Sequence, residues 1–477
     1  MTPLPVFMKK PSIRINRRAA FILRYVTLFA LSGVVIFGGV YSTTLYTAST
    51  QFAYVRGAIA TSTPTSPTDS LSTIDTSSTV DALQSAASPS VATSTSYILH
   101  IPTPTQVRGI YMSQCVVGTP SFRDSLVKFV DDTKLNTIII DVKDFSGGIS
   151  FPSTNPELAP YVSKSCGAKD MQAFVHELHL KGIYVIGRVT TFQDPLHAKI
   201  HPEWAVQKKE GGVWKNYGGL AFMDVGAKPF WDYIVTLARV SHDEIGFDEI
   251  NFDYIRFPSD GPLSDASFTY DVGKSKSEAL EEFFHYLHGK MVESHITTSA
   301  DMFGLVSSSA DDLGIGQVLE RGMPYFDFID PMVYPSHYAK GFNNYSDVNA
   351  HPYDIIYAQM KAATTRAEAT ASPYNIIDSS KVVRETNTEL VATTTTATSS
   401  KKAKTKKASP RASLVLYTKD AYPASKIRPW LQSFDYPVTY TPAMVSAQIK
   451  ASEDAGLSSY IFWDAGNKYR SLKEVLR

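Results

Sequence analysis

From Gly246 to Gly261 the chain reads Gly-Phe-Asp-Glu-Ile-Asn-Phe-Asp-Tyr-Ile-Arg-Phe-Pro-Ser-Asp-Gly. Taken two residues at a time, Ile250, Phe252 and Tyr254 fall on one side of an extended chain, and Glu249, Asn251 and Asp253 on the other. The apolar side suits a strand packed on helices. The polar side suits a strand whose end opens into a polar site, after which Pro258 and Asp260-Gly261 start a loop. A carboxylate at the carboxyl end of a strand is where an α/β barrel keeps its chemistry. The competing reading is a salt-bridged Asp253–Arg256 pair that merely closes a strand end.

Other β-rich runs end in the same kind of residue. They carry Asp141, Lys143 and Asp144, then Arg188, Asp301, Asp330 with Tyr334, and Trp463 with Asp464. Brought to one rim, such charges would contribute little net stability by pairing among themselves. They make chemical sense as a site for cleaving a glycosidic bond. That reaction needs one carboxylic acid to protonate the leaving oxygen and one carboxylate to attack the sugar or activate water. Neighbouring charges then hold the two pKa values apart. Asp253 is the candidate carboxylate, kept ionised by Arg256 or by Arg188. Asp301 is the candidate acid, with Asp141 and Asp464 as alternatives. Asp141, Lys143, Arg188, Asn251, Arg256, Asp330, Tyr334, Trp463 and Asp464 are the expected substrate contacts, the two aromatics offering flat surfaces for sugar rings.

The elements that must position these groups alternate along the chain. Strand-like runs are expected at 108–112, 137–144, 183–189, in the stretch just described, and at 296–303, 326–335, 427–434 and 459–466, the seventh being the weakest. Helix-like runs at 121–133, 171–181, 228–242, 275–294 and 442–455 separate them. Eight strands of this kind point to an α/β fold, a closed (β/α)8 TIM barrel, over 105–477. No Gly-x-Gly-x-x-Gly opens any of the helices, which counts against a dinucleotide fold.

The rest of the chain sets where the barrel would work. Lysine plus arginine equals aspartate plus glutamate, 46 each in 477 residues, so no overall field favours nucleic acid. A basic segment, 1–24, precedes an uncharged apolar run, 25–46, long enough to cross a bilayer. That pattern predicts a single-pass signal anchor with its amino end in the cytoplasm and the barrel outside; a cleaved signal peptide is the alternative. Residues 47–100, rich in Ser, Thr and Pro, should form a disordered stalk, and 384–413, ending in a lysine-rich run, a disordered insertion. Cys115 and Cys166 fall at the same end of the expected barrel and are a candidate disulfide in an exported protein. His176 with His179, and His285 with His288, are three apart on helices but lack a third ligand, so no metal and no cofactor is expected. Oligomeric state leaves no trace in the sequence.

Six segments carry a family resemblance. They are Val107-Arg108-Gly109-Ile110-Tyr111, Ile140-Asp141-Val142-Lys143-Asp144 with Gly147, Asp194-Pro195-Leu196, the stretch from Gly246 to Gly261, Ser299-Ala300-Asp301-Met302-Phe303-Gly304, and Asp330-Pro331-Met332-Val333-Tyr334-Pro335. In this order, over 107–467, they resemble the glycoside hydrolase family DUF4015. The resemblance implies an α-amylase-like TIM barrel and a polysaccharide or oligosaccharide substrate. The α-amylase pattern has Arg two residues before the fourth-strand Asp and Glu after the fifth strand. This chain has Asn251 and Asp301 there. A hydrolase of cell-envelope or extracellular polysaccharide is therefore expected, with a non-catalytic carbohydrate- or wall-binding barrel as the alternative. In either case acidic side chains should converge on a sugar-sized hollow with Asp253 in its floor.

Overall fold

The computed structural model describes residues 98–376, 386–387 and 415–477. Eight parallel strands close into a barrel: β1 Arg108–Met112, β2 Thr137–Lys143, β3 Tyr184–Thr190, β4 Glu249–Asp253, β5 Thr297–Phe303, β6 Phe328–Met332, β7 Trp430–Gln432 and β8 Tyr460–Trp463. Each pairs with its successor, and β8 returns to β1 with Arg108 opposite Tyr460 and Ile110 opposite Phe462. A helix follows every strand: α1 Pro120–Asp131, α2 Met171–Leu180, α3 Lys228–Val240, α4 Lys276–Glu293, α5 Leu319–Gly322, α6 Pro352–Glu368, α7 Pro442–Asp454 and α8 Arg470–Leu476. This is the (β/α)8 architecture expected from the alternation.

Local chemistry explains the boundaries. Every residue of β2 is buried, because a parallel strand is covered by helices on one face and by the barrel interior on the other. Ser275 and Glu278 form a reciprocal capping box at the start of α4. Thr441 caps α7, with Pro442 in the first turn where its missing N–H costs nothing. Gly246, at φ 100°, takes the left-handed turn that ends the α3 segment and releases the chain into β4. The seventh strand, expected at 427–434, is only three residues long. Its seam with β6 is thin, with Trp430 opposite Met332 and a bridge from Ile329 to Ile427. Pro331 and Pro429 supply no N–H to the ladders here, which also explains why the run read weakly.

Apolar packing falls into two main shells. The larger lies between the barrel and its helices and includes Ile138, Ile140, Phe230, Ile234, Phe283 and Leu287. A separate cluster lies inside the barrel, where Val107, Ile139, Tyr184, Ile186 and Ile461 pack together with Ile101 from the incoming chain. Each aliphatic side chain so buried contributes about 1.5–3 kcal/mol. The incoming segment is held by the Ile101 N–H donating to Asp248 Oδ1 at 2.8 Å and by a 2.9 Å bond between Thr103 Oγ1 and the Tyr184 hydroxyl.

Cys115 and Cys166 are joined by a disulfide that ties the turn after β1 to the loop after β2. Among the described residues no helix is long and apolar enough to cross a membrane. The expected basic segment and span at 1–46, the stalk up to residue 97, and the insertion at 384–413 apart from Thr386–Asn387 lie outside the described residues.

Candidate active site

The polar side of β4 faces the barrel axis and builds two layers. The lower one centres on Arg428, just before β7. Its Nη1 and Nη2 donate to Glu249 at 3.1 and 2.5 Å, and its Nε and Nη2 donate to Asp330 at 3.0 and 2.9 Å. All three side chains are fully buried. Glu249 also accepts from Ser299 Oγ at 2.6 Å and from the Tyr184 hydroxyl at 3.1 Å. Burial pushes Asp330 up to about 6 despite the pull of Arg428. So complete a set of partners is what a buried charge requires, and it makes this layer a scaffold rather than a reacting surface.

One turn of the pleat higher, four neighbouring strands deliver Asp141 from β2, Arg188 from β3, Asp253 from β4 and Asp301 from β5. Arg188 is gripped on three sides. Nη1 donates to Asp141 Oδ1 at 2.6 Å, Nη2 donates to Asp253 Oδ2, and Nε lies 3.7 Å from Asp301 Oδ2. Burial opposes the charge on Arg188, but Asp253 and Asp141 outweigh it and hold the guanidinium well above its ordinary value. Asp141 also accepts from the Tyr111 hydroxyl, and burial raises its pKa against the pull of Arg188.

Register explains why Asp253 and Asp301 meet. Asn251 lies opposite Ser299 and Phe252 opposite Ala300, so the next pair up the ladder is Asp253 beside Asp301. Neighbouring strands are about 4.8 Å apart, so both carboxyls fit around one guanidinium. Asp301 Oδ1 accepts from Trp430 Nε1 at 2.6 Å and from Asn251 Nδ2 at 2.9 Å, while Oδ2 is buried without a hydrogen bond. Burial first, and the Asp253 charge second, raise Asp301 well above the usual carboxylate range. A carboxyl pushed towards its acid form beside one that pairs with a cation is an asymmetry of the kind acid catalysis uses.

The end of β4 is itself unusual. Tyr254 has φ 47°, a left-handed conformation that bulky side chains rarely adopt. Its N–H donates to Asp253 Oδ1, and its carbonyl accepts from the Phe192 N–H at 3.1 Å. Backbone strain of this kind gathers at functional sites because the surroundings must over-determine it.

The opposite half of the mouth is aromatic. Tyr334, after β6, stacks on Trp463 of β8 with centroids 5.5 Å apart, and Phe434 meets both edge-on. Tyr111 of β1 stands 6.5 Å from Trp463. The mouth therefore has a charged side from β2 to β5 and a ring-lined side from β6 round to β1.

Asp141, Arg188, Asp253, Asp301, Tyr334 and Trp463 are thus brought together. Five other expected contacts are placed elsewhere. Lys143, beyond a bulge in β2, is fully buried and paired with Asp194 at 2.6 Å. A side chain at Gly147 would collide with that Asp194 carboxylate, which is why the conformationally free residue is needed there. Arg256 does not pair with Asp253 as the competing strand-end reading required. Its guanidinium lies 4.8 Å from the Tyr254 ring and 4.7 Å from the Phe303 ring, and Nη1 donates to the Phe257 carbonyl. Asn251 and Asp330 lie in the buried layer below, from which Asn251 Nδ2 reaches Asp301 Oδ1. Asp464 accepts from the N–H groups of Gly466, Lys468 and Tyr469 and shapes the turn after β8.

Three of the histidines are held within the fold by contacts to neighbouring residues. His179 Nε2 bonds Asp248 Oδ2 at 2.9 Å, His288 Nδ1 bonds the Tyr325 carbonyl at 2.9 Å, and His197 stacks on Tyr161. Among the described residues no group of three or more His, Cys, Asp or Glu could hold a metal ion.

Sequence reasoning missed Tyr111, Arg428 and Trp430. The signal was available, since Arg428, Trp430 and Gln432 alternate along β7 as Glu249, Asn251 and Asp253 do along β4.

The expected open hollow above Asp253 is not met in this conformation. Asp253 faces the axis, but its side chain is only 6% exposed, that of Arg188 13% and that of Asp301 1%. A cavity of about 460 Å³ lies instead on the outer wall, lined by Trp231 of α3 and Tyr286 of α4.

Residues 109–379 and 379–469 match the family model of DUF4015, described as "Putative glycosyl hydrolase domain". No curated protein sequence matches the chain. Among solved structures it is similar to a hypothetical protein from Ruminiclostridium thermocellum ATCC 27405, at 29% identity over 43% of this chain and 98% of that one, with a TM-score of 0.37. The PgaB (BpsB) glycoside hydrolase domain from Bordetella bronchiseptica matches at 10% identity over 78% of this chain and 99% of its own, with a TM-score of 0.49. The spore cortex-lytic enzyme SleL of Bacillus megaterium QM B1551 matches at 10% identity over 80% and 76%, with a TM-score of 0.41.

Proposed function

The chain belongs to the DUF4015 glycosyl hydrolase family, and from that premise we propose that its barrel mouth cleaves glycosidic bonds of a cell-envelope or extracellular polysaccharide. The observation that carries this reading is the pair of unequal carboxyls on adjacent strands. Burial and the neighbouring Asp253 charge raise the Asp301 pKa and favour its acid form, while Asp253 shares the Arg188 guanidinium. Asp301 serves as the general acid, delivering its proton to the leaving glycosidic oxygen. Asp253 is the carboxylate that attacks the anomeric carbon or takes a proton from water. Arg188 and Asp141 fix the position of Asp253, and Tyr334 and Trp463 supply the face on which a pyranose ring stacks. Because these groups are nearly covered, a bound sugar must displace the rings or Arg188 from their resting positions. The disulfide supports placing the barrel outside the cytoplasm, where such bonds persist.

Two variants of the barrel test the assignment on a panel of polysaccharides and aryl glycosides, reading new reducing ends. Asp253→Asn should abolish release from every substrate while thermal unfolding stays cooperative. Asp301→Asn should lower kcat about 10²–10⁴-fold on substrates with poor leaving groups. It should have little effect on aryl glycosides whose phenolate leaves without help. The near-burial of Asp301 favours one second reading, a barrel that binds glycan without cleaving it. Glycan retained by wild type with no new reducing end, and unchanged by Asp301→Asn, would establish that reading instead.

A further inference from the structure

Resting on the assignment of Asp301 as the acid, we propose that Trp430 and Asn251 are positioning residues that confine the transferable proton to Oδ2 of Asp301. A carboxyl oxygen has two lone pairs. Both on Oδ1 are occupied, one by the Trp430 indole N–H at 2.6 Å and one by the Asn251 amide at 2.9 Å. No room is left there for a proton. Oδ2 has no hydrogen-bond partner, and the nearest cation, Arg188 Nε at 3.7 Å, can only donate. The proton of the neutral acid therefore sits on Oδ2, the oxygen turned towards Arg188.

The amide orientation is fixed by its surroundings. Asn251 Nδ2 faces Ser299 Oγ at 3.0 Å, Asp301 Oδ1 at 2.9 Å and Asp330 Oδ2 at 3.3 Å. Ser299 spends its own proton on Glu249, so all three oxygens are acceptors and only the NH₂ end fits. Trp430 is held in turn, buried in the interior cluster with Tyr111 and Tyr334, so its N–H cannot leave Asp301 without repacking that cluster. In catalysis the Oδ2–H bond breaks as the leaving oxygen gains the proton. Asp301 becomes a carboxylate, its Oδ1 charge met by two donors already in place, and water later returns the proton. Such donors need no reorganisation when charge develops.

The test reads the proton directly and does not require turnover. Infrared difference spectra between wild type and Asp301→Asn at neutral pH should show a protonated carboxyl C=O band belonging to Asp301. Trp430→Phe, which removes the N–H and keeps a ring, should shift that band upward, because its oxygen has lost a hydrogen bond. The apparent pKa of the band should also rise, since donors favour the ionised form. Asn251→Ala should move both in the same direction, and it serves if Trp430→Phe does not fold. The other charges facing Asp301 are Asp253, Arg188 and Asp330, all unchanged in these variants. A band that keeps its frequency and pKa in both variants would overturn the proposal. Where turnover is measurable, Trp430→Phe should lower kcat about 10-fold on poor leaving groups, move the basic limb of the pH profile upward and leave KM nearly constant. Equal losses on all substrates with an unmoved profile would mean that Trp430 only packs. If the band behaves as expected but no substrate is cleaved by wild type, the acid assignment fails while the proton placement stands.

Discussion

Replacing Arg428 with methionine tests whether the lower layer is the dry ionic floor that the geometry describes. The guanidinium makes four charge-assisted bonds to Glu249 and Asp330, every partner fully buried. Methionine keeps much of the volume packed on the Phe328 ring, 4.0 Å away. It leaves Glu249 with Ser299 and Tyr184, and Asp330 with Asn251 at 3.3 Å. Removing one partner of a buried ion pair costs about 3–5 kcal/mol. For a large domain each kcal/mol lowers Tm by about 2–4 °C, so a fall of roughly 6–20 °C is expected. The pH dependence has a definite sign. Without Arg428 the Asp330 carboxyl, already raised by burial, loses the cation that pulls it down, so the native form binds more protons than the unfolded chain. Its stability is then recovered as pH falls. Urea and thermal unfolding at pH 5 and pH 8 should show the larger deficit at pH 8. Adding Glu249→Gln should recover part of it. A loss below about 1 kcal/mol, or a deficit independent of pH, would refute the claim that the charges there are desolvated and mutually dependent.

Two further outcomes follow from groups outside that layer. Asp224 and Asp271 join the loops after β3 and β4. Asp224 accepts from the N–H groups of Gly226 and Thr269, and burial and the Asp224 charge raise Asp271 to about 7. A raised folded pKa means this contact stabilises at acid pH and is lost as pH climbs through about 7, so the Tm of Asp271→Asn relative to wild type should rise between pH 5 and pH 8. A constant difference would show that the pair does not titrate in this range. The disulfide closes a separation of 51 residues, for which the chain-entropy model gives about 4 kcal/mol. The double variant Cys115→Ser with Cys166→Ser should unfold at correspondingly lower denaturant, and equal midpoints for wild type with and without reductant would contradict the bridge.

The sequence by itself determined the architecture and a short roster of candidate groups. Alternation along Ile250, Phe252 and Tyr254 against Glu249, Asn251 and Asp253 fixed which face of β4 could be apolar, because successive side chains on a strand point to opposite sides. Helix caps and glycine stops set the spacing of the other elements, and both cysteines could be placed at one end. These are local properties, legible one segment at a time.

Only the tertiary structure decided what each polar group does. In the sequence Asp301 and Asp141 are rival acids, and Arg188 shares with Arg256 the part of holding Asp253 ionised. These groups differ because one guanidinium reaches three carboxyls and because Asp301 lies beneath it, almost without solvent. Lys143 looked like a rim cation, but a bulge in β2 turned it towards Asp194. Trp430 lay in the least convincing strand and proved to be a hydrogen-bond donor to Asp301. A pKa depends on desolvation and on charges brought near by the fold, often from hundreds of residues away, and no local pattern carries that information.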